Sequence, residues 1–168
     1  MILVQLLHEA GVSRPGARQR IRAALVAQVA DALAVDMARL AIGATSGAAP
    51  WLLLDGARAA GGVSFSHDGV LSVGVFDPAG AVGVDVMQVQ PVDDWAVLAR
   101  DYLGPAVLAE LANAVEAARA CAFAQAWVQH EAQLKCLGRP LTEWCGDLPA
   151  CHVELIDVAP GYVGALAR

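Results

Sequence analysis

The sequence predicts an α+β protein built in two halves, and three observations carry that reading. A helical period comes early, a run of short strands separated by turn residues follows, and a second, helix-rich stretch ends in a strand pair. Residues 16–34 read as a helix, because Ile21, Leu25, Val29 and Leu33 recur four apart and Pro15 sits near the start, where its missing N–H costs nothing. The stretch 43–50 breaks that pattern, and 51–54 is a short apolar segment ending at Asp55-Gly56. Gly61-Gly62 opens a meander in which 63–66 and 70–76 are strand-like, with His67-Asp68-Gly69 as the turn between them. A second turn at residues 77–80 leads into a third strand over 81–86. Its alternation puts Val82, Val84 and Val86 on the core face, with Gly83, Asp85 and Met87 opposite. Asp85 then faces a groove, with Gly83 beside it leaving room for a ligand.

After Pro91 the pattern turns helical over 93–103, 105–113 and 115–137, the last stopped by Gly138 and Pro140. Segments 153–158 and 162–166 finish as strands around Pro160-Gly161. On the longest helix Phe123, Trp127, Glu131 and Lys135 fall four apart and share a face, an apolar stripe that becomes an acid and then an amine. The halves are expected at 1–80 and 81–168, sharing one compact unit.

Composition excludes several classes. With 168 residues, 57% hydrophobic and 17% charged, the chain is too apolar for disorder and too short for two independent domains. Mean hydropathy is +0.51, yet the longest apolar candidate, 23–44, is interrupted by Asp31, Asp36 and Arg39, so no membrane span is expected. MILVQLL has no basic flank and makes a poor signal peptide. A pI near 5.0 argues against nucleic acid. The remaining class is a soluble cytoplasmic protein. Cys121, Cys136, Cys145 and Cys151 form no CxxC pair and read as free thiols in a reducing compartment.

Charge is unevenly spread: residues 1–80 are net zero, and 81–168 carry the whole net charge of -6. Within the first half, four of the six Arg cluster at Arg14, Arg18, Arg20 and Arg22. Such a run is usually a solvated face; its other reading is an anion-binding corner. The chain holds ten Arg and a single Lys, Lys135, which marks a place where a compact ammonium rather than a planar fork is wanted, unless one lysine survives by chance.

Asp85 on a strand, Glu131 and Lys135 on one helical face, and Ser66-His67 at a strand end form the notable constellation. Two carboxylates from different elements suit a hard cation such as Mg²⁺ completed by substrate phosphates, and a lysine one turn away suits a phosphoryl group. The plainer reading makes Glu131–Lys135 a helix-stabilising i,i+4 pair and His67 a polar turn residue.

FSHDG at 65–69, GVDV at 83–86, and WVQHEAQLK at 127–135 followed by CLGRPL, in that order and spacing, resemble the Sfp-type 4′-phosphopantetheinyl transferases. The resemblance implies that family's α+β fold of two pseudo-equivalent halves, each a helix with a small antiparallel sheet. It also implies transfer of phosphopantetheine from coenzyme A to a serine of an apo acyl, peptidyl or aryl carrier protein, with Mg²⁺, releasing 3′,5′-ADP. By motif position Asp85 and Glu131 would hold the metal, and Glu131 would take the serine proton directly or through water. Lys135 would steady the pyrophosphate, Ser66 and His67 would meet the coenzyme, and Arg14 and Arg18 would bind it, Arg18 near its 3′-phosphate. A monomer is expected.

Three departures from the family pattern stand out. Met87 occupies the place where many members have a second acid, His130 replaces the lysine before the motif glutamate, and the basic residues of larger members before the first helix are missing, as is a Gly-Lys-Pro lysine (here Gly47-Ala48-Ala49-Pro50). The alternative is a degenerate relative that only binds coenzyme A or a carrier domain. Because the second half is itself acidic, carrier docking is expected on a local apolar patch of Met87, Val89, Val92 and Trp95, with Arg100 as its cation.

Overall fold

The early helical period folds as expected, with Ile21, Leu25 and Val29 buried along one stripe. In this computed structural model, which describes residues 1–45 and 47–168, the chain begins with β1 (Ile2–Leu7), α1 (Arg14–Leu33), a 3-10 turn at Met37–Arg39, β2 (Leu40–Gly43), β3 (Trp51–Leu54) and β4 (Ala57–Arg58). It continues through β5 (Gly62–Asp68), β6 (Leu71–Asp77) and β7 (Gly83–Gln88) to α2 (Trp95–Leu98) and a π turn at Ala99–Leu103. It closes with α3 (Pro105–Asn113), α4 (Glu116–Cys136), β8 (Val153–Ile156) and β9 (Tyr162–Ala167). The Ser13 hydroxyl caps α1 by accepting from the Gly16 N–H, and Ala34 ends it in the left-handed region at φ 52°.

Two three-stranded antiparallel sheets are built alike. One is ordered β1-β6-β5 and the other β7-β9-β8, so in each the first strand pairs with the last of a terminal hairpin. Each carries one long helix, α1 or α4. The first half adds the small sheet β2-β3-β4. This is the α+β architecture of two like-built halves that the resemblance implied.

Strand β6 sits between layers, and all of Leu71–Asp77 is buried. Phe76 packs with Leu25 and Val29 of α1 on one face. Leu71, Val73 and Val75 pack on the other against Val82, Val84, Val86 and Leu166 of the second half. Burying each such side chain contributes roughly 1.5–3 kcal/mol, so this two-sided core is what welds the halves together.

The structure corrects several local expectations. β5 runs on through His67 and Asp68, and the turn is the tight one at Gly69 (φ +53°), so His67 is a strand residue paired opposite Ser72. The third strand starts and ends two residues later than its pattern suggested, at Gly83–Gln88. The 93–103 helix shortens to α2 and the π turn. Gly83 makes room for α4 rather than for a ligand: a Cβ there would lie 1.9 Å from the Ala132 carbonyl oxygen.

Strands β5 and β7 lie side by side across the junction of the halves, joined by side chains. The Val84 N–H donates to Ser64 Oγ (3.1 Å), the Val86 N–H to Ser66 Oγ (3.2 Å) and the Gln88 N–H to Asp68 Oδ2 (2.7 Å). The constant offset of 20 residues means that the strands run parallel. Alternation sends Ser64, Ser66 and Asp68 toward β7, and Val63, Phe65 and His67 toward α1.

Candidate active site

Asp85 leaves β7 at this seam and is 8% exposed. Its Oδ1 accepts from the Ser66 hydroxyl (2.6 Å) and from Lys135 Nζ (2.7 Å); Oδ2 takes part in neither bond. Lys135 reaches the seam from the last turn of α4 and donates also to the main-chain oxygens of Val84 (3.0 Å) and Phe65 (3.5 Å). An ammonium has three protons, and here three oxygens around it. The plain i,i+4 pairing is therefore not what forms: Lys135 makes its ion pair across to β7, with Asp85.

Glu131, one turn earlier on α4, has its carboxyl pushed up from the usual range, first by burial and then by the negative charge of Asp85, with Lys135 pulling it partly back. His67 is pushed down, first by burial and then by His8 and Arg14, with Arg18 adding to this and Asp68 opposing it. Its Nδ1 lies 2.7 Å from Ser72 Oγ.

A cavity of about 560 Å³ opens over the seam, and all seven residues singled out from the sequence line it: Arg14, Arg18, Ser66, His67, Asp85, Glu131 and Lys135. Trp127 and Met87 complete one wall. A second cavity of about 700 Å³ shares Arg18, Phe65 and Lys135 with it and is lined further by Arg22, Arg139 and residues 47–50. Three of the four clustered arginines thus face the cavities, and Arg22 lies over the Phe65 ring at 5.6 Å. Ser66 spends its proton on Asp85 and accepts from Val86, so its place in the geometry is to hold that carboxylate.

Among the described residues no group of three or more His, Cys, Asp or Glu side chains could hold a metal ion by itself. Asp85 and Glu131 still put two carboxylates on one cavity, a set that fits Mg²⁺, which keeps several waters and takes phosphate oxygens from its substrate. Met87, half-buried in the same wall, offers a thioether that a hard cation does not seek.

The comparison with protein families decides the kinship. A family model described as the 4′-phosphopantetheinyl transferase superfamily matches residues 81–167, more than half of the chain. The chain belongs to the 4′-phosphopantetheinyl transferase superfamily. No curated protein matches it. The matched segment runs from before β7 to the end of β9, and so contains Asp85, Glu131 and Lys135. Phosphopantetheinyl transfer from coenzyme A to carrier proteins is the general activity of this superfamily.

Beside the cavity, Met87, Val89, Val92 and Trp95 are all half-buried rather than enclosed. Trp95 carries the Arg119 guanidinium over its ring at 4.9 Å, while Arg100 is tied to Asp101 at 2.7 Å. Arg119 is therefore a cation on this apolar patch that the sequence did not point to, while Arg100, to which it did point, is paired with Asp101. Two residues of the site carry no signal in the sequence: His8, which follows β1, and Ser72 on β6. Neither lies in a motif, and each reaches the site only through strand pairing.

Proposed function

We propose that the chain is an Sfp-type enzyme that moves the 4′-phosphopantetheine arm of coenzyme A onto a serine of an apo carrier protein and releases 3′,5′-ADP. The observation that carries this reading is the convergence of Asp85, Glu131 and Lys135 with Arg14, Arg18 and His67 on one cavity. Two carboxylates that would hold Mg²⁺ stand across from three groups suited to phosphate. Mg²⁺, held by Asp85 and Glu131, would supply charge neutralisation on the pyrophosphate.

The protein's own residues account for the rest. Arg14 and Arg18, at the start of α1 with no acid in its first turn, meet phosphate oxygens with the positive end of the helix behind them. The second cavity, with Arg22 and Arg139, takes the remainder of the nucleotide. Glu131 accepts the serine proton as the serine oxygen bonds to the β-phosphorus and the bond from that phosphorus to the bridging oxygen breaks. In the metal-free protein burial raises its carboxyl pKa; Mg²⁺ would favour the ionised form that accepts the proton. Lys135 faces the charge that develops on the leaving group, and its longest bond, to Phe65 O at 3.5 Å, is the one a phosphate oxygen displaces most easily.

The apolar patch of Met87, Val89, Val92 and Trp95 receives the carrier. The test is to incubate the protein with coenzyme A, Mg²⁺ and an apo carrier and to follow 3′,5′-ADP. Release that needs both carrier and metal supports the transferase. Tight coenzyme binding with no release identifies the alternative, a binding module.

A further inference from the structure

Behind His67 lies a chain of polar groups that the transfer chemistry above does not use. Ser72 is fully buried at the centre of the first sheet. Its Oγ lies 2.7 Å from His67 Nδ1 on one side and 2.8 Å from His8 Nε2 on the other. His8, 9% exposed, is anchored by its own N–H to the Val70 carbonyl (2.8 Å), and the two imidazoles lie 5.9 Å apart, tilted by 53°. β6 gives Ser72, β5 gives His67, and the residue just after β1 gives His8.

A hydroxyl has one proton to give. Between two neutral rings it donates to one and accepts from the other, so the three groups have two arrangements. In the first, His8 Nε2–H donates to Ser72, Ser72 donates to His67 Nδ1, and the His67 proton sits on Nε2. In the second, every bond is reversed and His67 Nε2 is a bare lone pair. His67 lines the cavity beside Arg14 and Arg18, and its Nδ1 is taken by Ser72, which leaves Nε2 for the ligand. Only the first arrangement offers a phosphate oxygen a donor. A lone pair there would repel it.

The geometry points to His8 and Ser72 as positioning residues that hold His67 as its Nε2–H tautomer, so that an uncharged imidazole donates a hydrogen bond to a phosphate in the cavity. The identity of that phosphate as part of coenzyme A rests on the transferase reading; the choice of tautomer needs only an anion bound beside Arg14 and Arg18. Around His67 the charged and titratable groups are His8, Arg14, Arg18 and Asp68; burial first, and then His8 and the two arginines, disfavour a second proton on the ring, with Asp68 opposing. A neutral donor adds recognition without a further cation beside two arginines.

The test uses nitrogen-15 NMR of the histidine rings together with calorimetric titration of inorganic pyrophosphate. In the wild type, His67 is expected to show a protonated Nε2 and a bare Nδ1. Ser72→Ala and His8→Phe each remove the relay, and should mix the tautomers and weaken pyrophosphate binding by the lost Nε2–H fraction, about twofold for an even mixture. Ser72→Thr keeps the hydroxyl and should restore both. A wild-type His67 protonated on Nδ1 overturns the inference, and so do unchanged tautomer and affinity in whichever of the two relay variants folds. Neither readout needs turnover, so a protein that shows the expected tautomer and affinity but transfers nothing supports this inference while overturning the transferase reading.

Discussion

Lys135 Nζ lies 2.7 Å from Asp85 Oδ1 and makes its ion pair with that residue, although Glu131 stands one turn away on its own helix. The bond ties the end of α4 to β7, and the Val84 carbonyl on the same strand accepts from the same nitrogen at 3.0 Å. Because Ser66 of the other half also donates to Asp85 Oδ1, this carboxylate is held from both halves of the molecule at once.

Lys135→Arg is expected to fold and yet to lose activity on the order of 100-fold, the scale set by removing one oriented electrostatic donor. The flat guanidinium cannot reach the three oxygens that surround the ammonium. Steady-state kinetics with a circular-dichroism control checks this. Turnover near wild type would make the single lysine a compositional accident.

Glu131 gives a pH signature. Its folded pKa lies above its unfolded one, so the ionised carboxylate costs stability at neutral pH, and that cost disappears as pH falls below its ordinary value of 4.5. Glu131→Gln should therefore raise Tm near neutral pH by up to about 2 °C and lose that gain in acid, while turnover collapses. Mg²⁺ should raise the wild-type Tm more at neutral than at acid pH, since it binds the ionised form. Thermal melts across pH read both.

Gly83→Ala is expected to destabilise the protein by about 3 kcal/mol, a fall in Tm of roughly 6–12 °C. The added Cβ would meet the Ala132 oxygen at 1.9 Å and the Cys136 nitrogen at 2.5 Å, both helix backbone, so α4 must lift away from β7. Activity should fall with stability, because Glu131 and Lys135 ride on that helix.

Val92→Glu and Trp95→Ala, neither of which lines the coenzyme cavity, should each raise the carrier KM about tenfold and leave coenzyme A binding unchanged. Salt up to about 0.5 M should barely alter the carrier KM, because the apolar patch rather than long-range attraction does the docking. A sharp rise in KM with salt would show charge attraction in control.

Much of the site was legible because two periods expose it. A spacing of four put Trp127, Glu131 and Lys135 on one helical face, and a spacing of two turned Asp85 away from Val84 and Val86. β1 was not legible as a strand, because Ile2 and Val4 pack toward α1 while Leu3 packs toward the second half, so a strand covered on both faces shows no alternation. Gly83 misled for a related reason: a missing side chain signals a close approach, but not whether a ligand or a helix makes it. His8 and Ser72 were invisible because 64 residues separate them and only the pairing of β1 with β6 brings them together.

The most direct test of the transferase reading is the intact mass of an apo carrier protein after incubation with this protein, coenzyme A and Mg²⁺. A gain of one phosphopantetheine arm on the carrier serine, lost with Asp85→Ala and with Glu131→Gln, is the result the account predicts. A carrier of unchanged mass, with coenzyme A bound to the protein and left whole, would contradict it.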